Sequence, residues 1–129
     1  MKMKTEPTLL SQARALRKLL SNPEHWTQHH FAKDKHGVPV GTKSKDACSF
    51  CFMGGMAKIT GLPGRDGVDK SELFKLMGNT VVGMTHGDFR GLPLTVFVTR
   101  LNDGKVGDEH AKVLHVIDLA ILHAKGAGV

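Results

Sequence analysis

Both cysteines of the chain, Cys48 and Cys51, lie in the segment Asp46-Ala47-Cys48-Ser49-Phe50-Cys51-Phe52-Met53-Gly54-Gly55-Met56-Ala57. A Cys-x-x-Cys pair suits one half of a tetrahedral zinc site, and the other half would have to be His29 and His30. Adjacent histidines lack the gap usual between zinc ligands, so the set Cys48, Cys51, His29, His30 is a candidate without a proper second half, and no cofactor is expected. A redox dithiol needs its first thiol at a helix N-terminus, where the thiol pKa falls. Cys48 meets that condition if Ser44 or Asp46 caps the helix, but no strand of a βαβ unit precedes it. The competing account is packing. The same spacing puts both thiols on one face of a helix, where they fill core space as small hydrophobes.

His86 with Asp88, and His110 with Asp108 and Glu109, combine imidazole and carboxylate as general acid and base groups do. No nucleophile elbow or paired-carboxylate motif accompanies them, and Gly61 to Gly67 lacks the Gly-Lys-Ser/Thr end of a phosphate-binding loop. The chain therefore reads as non-enzymatic, with a metal- or thiol-dependent enzyme as the third-ranked alternative. Nucleic-acid binding is the stronger chemical alternative. Lys33, Lys35, His36, Lys43 and Lys45 gather around one turn beside His29, His30 and Phe31, and Arg14, Arg17 and Lys18 would widen the patch. Eighteen Lys and Arg against twelve Asp and Glu give a net charge of +6, before any of the eight histidines is protonated. These charges are scattered rather than blocked, so a merely solvated basic face competes with a phosphate-binding one.

The elements that must position these residues are mostly helical. Leu9, Ala13, Leu16 and Leu20 recur at helical spacing between Thr8 and Asn22, and Pro23 ends the run. Trp26, the one tryptophan, reads as a core anchor. Phe31 to Val40 reads as a hairpin turning at Asp34-Lys35-His36-Gly37, with Pro39 confining it to an edge. The second helix carries both cysteines and stops at Gly61 and Pro63, and Gly54-Gly55 would admit a neighbouring helix closely. After the loop Leu62 to Gly67, Asp69 and Glu72 have capping-box spacing and Val68 can staple onto Leu73. The third helix carries Leu73, Phe74, Leu76 and Met77 and frays between Gly78 and Gly83. Thr85 to Pro93 reads as a loop, Leu94 to Thr99 as a short strand by its β-branched content, and Asn102-Asp103-Gly104 as a turn. The last helix, Asp108 to Lys125, has an apolar stripe of Val113, Leu114, Ile117, Ala120, Ile121 and Ala124, closed by Gly126. Val116, Leu119 and Leu122 extend that stripe round the helix, which is then either deeply buried, the commoner use of such a face, or lends these residues as a candidate partner-binding face.

A chain of 129 residues fits one domain spanning residues 1–129, with one core. Two cysteines are too few for a disulfide scaffold, the charged opening lacks the apolar run of a signal peptide, and no stretch approaches membrane-spanning length. A cytoplasmic setting is expected, in a bacterium or an infected cell, with no membrane partner.

Three stretches together resemble a family of short uncharacterised proteins of bacteria and bacteriophages. They are Trp26 with Phe31-Ala32-Lys33-Asp34-Lys35-His36-Gly37-Val38-Pro39-Val40, then Ala47 through Phe50-Cys51-Phe52-Met53-Gly54-Gly55-Met56, and Leu101-Asn102-Asp103 followed by Val113-Leu114 and Ile117-Asp118-x-Ala120-Ile121-x-x-Ala124. The resemblance implies no activity, cofactor or catalytic residue. In the family pattern the recurring cysteine corresponds to Cys51, Cys48 is peculiar to this chain, and Gly55 replaces the usual Ala. Asn102 and Asp103 are its most distinctive polar residues, explained by side-chain bonds to nearby backbone that hold a turn. The expected molecule is a compact, mainly α single domain with a minor β-hairpin or strand. Its expected function is that of a small basic accessory protein that binds a host protein, or another copy of itself, through a helical face.

Overall fold

The computed structural model describes residues 8–62, 67–84 and 92–128. Five helices and one two-stranded antiparallel sheet are present among them: α1 (Leu9–Leu20), β1 (Ala32–Lys33), β2 (Ser49–Phe50), α2 (Phe52–Thr60), α3 (Glu72–Met84), α4 (Leu94–Asn102) and α5 (Glu109–Ala127). The fold is mainly α, as expected. Pro63, the His86–Asp88 pair, most of the Leu62 to Gly67 loop and of the Thr85 to Pro93 loop lie outside the described residues.

Helix α1 starts where the Thr8 hydroxyl accepts from the Ser11 N–H, and it buries Ala13, Leu16 and Leu20 on one face. It packs against α5 and α2, while α3 packs against α4 and α5. Buried side chains from all five helices, with Ala32 and Phe50 of the sheet, form one continuous cluster. In α5 the buried apolar positions are Val113, Val116, Ile117, Ala120 and Ala124, and the helix runs past Gly126 to a left-handed cap at Gly128.

The cysteine segment departs from the expected helix. Residues 48–51 are extended because the Cys48 N–H donates to Lys33 O (2.9 Å) and the Cys51 N–H to Phe31 O (3.2 Å). Ala32 faces Phe50 and Lys33 faces Ser49. Backbone groups committed across a sheet cannot join a helix, so α2 begins only at Phe52. Neither Ser44 nor Asp46 caps it. Cys51 is the N-cap, and its Sγ accepts from the Gly54 N–H at 3.2 Å. The two thiols therefore do not share a helix face: Cys51 is buried and Cys48 exposed.

The expected hairpin survives in part. Its turn is held by the Asp34 carboxylate, which accepts from the His36 and Val38 N–H groups, and an isolated bridge links Lys33 to Pro39. The regular pairing of Ala32 and Lys33, however, is with β2. Leu94 to Thr99 is helical rather than a strand. Leu94, Phe97, Val98 and Leu101 recur at helical spacing and turn inward, and burial of that face overrides their β-branched neighbours. Helix α3 does not fray at Gly78. That glycine lets α4 approach, since a Cβ there would lie 3.0 Å from Leu94 Cδ1, and the helix continues to Met84. Its N-terminus is held by Ser71, whose Oγ accepts from the Phe74 N–H (3.0 Å), in place of the Asp69/Glu72 box.

Candidate functional site

Asn102, at the C-terminus of α4, is 2% exposed and uses its whole amide. Its Oδ1 accepts from Trp26 Nε1 (2.7 Å) and from the Phe52 N–H (3.0 Å). Its Nδ2 donates to Thr27 O (3.0 Å) and Asp103 Oδ1 (2.8 Å). One side chain thus ties α4 to the Trp26 segment and to the first turn of α2. The expectation of bonds to nearby backbone is corrected here, because three of these four partners are 50 to 76 residues away. Trp26 is half-buried, and its ring packs at 5.3 Å and 45° against His110.

Asp103 continues the cluster. Its Oδ1 also accepts from the His29 N–H (3.0 Å), and its Oδ2 lies 3.7 Å from His29 Nδ1. His29 adopts φ +75°, a left-handed conformation that a non-glycine residue keeps only when its surroundings hold it there. Below His29 and His30 opens a cavity of about 80 Å³, lined also by Phe31, Cys51, Met53, Val98, Thr99, Asn102 and Asp103. Five residues singled out in the sequence, His29, His30, Cys51, Asn102 and Asp103, therefore meet in one place.

Cys48 does not join them. It lies in another hollow, of about 440 Å³, with Asp34, Lys35, His36, Lys45 and Asp46, which separates the proposed zinc ligands into two places. Among the described residues, no group of three or more His, Cys, Asp or Glu side chains is arranged to hold a metal ion. Burial pushes the Cys51 thiol up to about 11, against the opposing pull of the Gly54 N–H. It is a neutral thiol at neutral pH, suited to lining a cavity rather than to attack. The other acid–base set is also dispersed. A ring nitrogen of His110 sits 2.7 Å from Leu20 O, Asp108 pairs with Lys112 (3.2 Å), and Glu109 bonds the backbone of Val106 and Gly107.

Of the basic residues, Lys35, His36 and Lys45 share the Cys48 hollow with two carboxylates, Lys33 is half-buried in β1, and Lys43 is exposed. Asp34 in that hollow is held below the usual carboxylate range by the Val38 N–H, with His36 and Lys35 adding to the effect against burial. Arg14 and Lys18 are exposed on α1, but Arg17 is committed to Asp118 of α5, with Nε to Oδ1 at 2.8 Å. The candidate partner face on α5 is smaller than expected. Val116 is fully buried, Leu119 half-buried, and Leu122 alone of the three is exposed.

Residues that the sequence reading passed over lie on α4. Thr95, Val96, Thr99 and Arg100 form a shallow depression of about 270 Å³ on its outer side. Beyond Arg100, a groove of about 380 Å³ is lined by Val81, Phe97, Leu101, Val106 and Lys112 among others. Reading 94–99 as a strand hid this surface, whereas its helical spacing was the signal that could have found it. Comparison with protein-family models, curated proteins and solved structures finds no match to this chain.

Proposed function

We propose that the protein is a small basic accessory protein that acts by binding another protein, with the outer side of α4 at the centre of the contact. The observation that carries this reading is a hollow on each flank of α4 with shared walls. Thr99 borders both the cavity below His29 and the outer depression, and Arg100 borders both that depression and the groove beside Val106. Adjoining hollows along one side of a helix offer pockets for a few anchoring side chains inside a polar rim, which is how protein interfaces concentrate their affinity. In this reading the chain belongs to a bacterium or its phage and meets a host protein in the cytoplasm. The family resemblance of Trp26, Cys51, Asn102 and Asp103 supports that setting.

Affinity capture with the full chain, with and without nuclease, tests the reading. A stoichiometric protein should be retained after nuclease, lost from Thr99→Arg and kept by Leu122→Ser. A second reading, nucleic-acid binding, is favoured by the shared hollow of Lys35, His36 and Lys45. Retention that nuclease abolishes, that weakens steeply with salt and that falls on substitution of Lys33 and Lys35 would replace the first reading with the second.

A further inference from the structure

Asp103 has one carboxylate oxygen committed and one open. Its Oδ1 accepts from the His29 N–H (3.0 Å) and from Asn102 Nδ2 (2.8 Å). Oδ2 accepts no hydrogen bond among the described residues, and its one ion-pair neighbour there, His29 Nδ1, stands at 3.7 Å, beyond hydrogen-bond distance. The side chain is 23% exposed and lines the cavity of about 80 Å³ below His29 and His30. A carboxylate offers about four acceptor positions, so a mostly buried one with an oxygen left over is a place where a donor belongs.

Charge selects the sign of that donor. Among the described residues no Lys or Arg borders the cavity, so with its histidines neutral Asp103 carries the only charge of the lining. Cys51 adds none, because burial, and after it the Asp103 charge itself, hold the thiol neutral at pH 7 against the pull of the Gly54 N–H. Phe31, Met53 and Val98 supply apolar wall, and an aromatic wall favours a cation. A guanidinium fits poorly, since its planar fork is matched by both oxygens of a carboxylate and Oδ1 is taken. An ammonium needs only Oδ2, and the Thr99 hydroxyl and a neutral imidazole nitrogen in the same lining are further acceptors for its remaining N–H groups.

We propose that this cavity receives a lysine side chain of the partner protein, its ammonium on Asp103 Oδ2 and its methylene stem against Phe31, Met53 and Val98. The proposal rests on the protein-binding reading and names the partner's anchoring residue. Thr99 joins the two, because it walls the cavity and also borders the depression at the centre of the contact.

The probe is n-butylammonium, the end of a lysine side chain, titrated against the full chain at pH 8 and constant ionic strength and followed by backbone amide NMR shifts. Saturable millimolar binding that moves the His29, Phe31, Thr99 and Asp103 amides is expected, weakened at least about tenfold by Asp103→Asn. That variant keeps the oxygen to which the His29 N–H and Asn102 donate, so it folds, and Glu72→Gln, which removes the same charge from an exposed site on α3, should leave binding unchanged. Equal binding of n-butanol, or binding indifferent to Asp103→Asn, overturns the proposal. Saturating n-butylammonium should also release the captured protein; if it binds through Asp103 and leaves that protein in place, the occupant is a free amine and the lysine assignment falls. Failure of n-butylammonium to bind while nuclease-resistant capture persists removes the cavity proposal alone, whereas capture of no protein while n-butylammonium binds through Asp103 removes the wider reading and with it the partner's lysine.

Discussion

A single amide, Asn102, holds three distant parts of the chain, and its replacement separates hydrogen bonding from packing. Asn102→Ala leaves the buried Phe52 N–H and the partly buried Trp26 Nε1 and Thr27 O without this partner. At about 1–3 kcal/mol for a buried group left unsatisfied, and less for the two that water can partly reach, a loss of about 2–5 kcal/mol is expected in urea unfolding. Asn102→Asp keeps the acceptor but turns an oxygen toward Thr27 O and the Asp103 carboxylate, so it should be more destabilised at pH 7 than at pH 4. The two glycines of α2 give an opposite pair. A Cβ on Gly54 would lie 1.7 Å from Phe31 O, a backbone atom fixed by the sheet, so Gly54→Ala should abolish the native fold as read by circular dichroism. A Cβ on Gly55 meets the ends of Leu16 and Leu20, at 2.8 and 3.3 Å from their Cδ1 atoms. Those side chains can shift, and helix propensity returns about 1 kcal/mol, so Gly55→Ala should change stability by less than about 1 kcal/mol.

At the scale of elements, the turn joining α4 to α5 depends on an ionised Glu109. Burial acts to raise its pKa, but the Val106 and Gly107 N–H groups, its own amide and the Lys112 ammonium together bring it below the ordinary value of 4.5. A carboxyl lowered on folding stabilises the native state above its unfolded pKa, and that stability is lost as pH falls through the folded value. Urea midpoints should therefore drop below about pH 4.5 in the parent, and Glu109→Gln should flatten that slope while losing stability at pH 7. The long periodic elements, α1, α3 and α5, were legible in the sequence because each buries a face long enough to show its period. Two short elements were not. Two-residue β2 is too brief to display alternation, and its extended form depends on carbonyls of Phe31 and Lys33, remote in sequence. In α4 the β-branched residues Thr95, Val96, Val98 and Thr99 outweighed the inward spacing of Leu94, Phe97, Val98 and Leu101. The site was half legible. His29, His30, Cys51, Asn102 and Asp103 were all singled out, but for zinc or a local turn, because no spacing rule relates a loop histidine to an asparagine 73 residues later.

For the molecule as a whole, the two thiols report different events. Cys48 is exposed and Cys51 buried, so a disulfide reagent should titrate one thiol rapidly in the native protein and the second only at the rate of opening of the core. Two fast thiols would contradict the extended 48–51 segment and its N-cap. Longer range still is the span of the Asn102 bonds. During synthesis Trp26, Thr27 and Phe52 leave the ribosome before their shared partner, and at ordinary elongation rates the interval is on the order of seconds. Until residue 102 emerges, the indole N–H and the first amide of α2 have only water to bond, so the locking of the loop onto α2 is a late event in the life of the nascent chain. A prematurely terminated chain that stops within α4 would carry nearly every apolar residue of the first three helices without the amide that orients them, and it would meet the cell's proteases in that state.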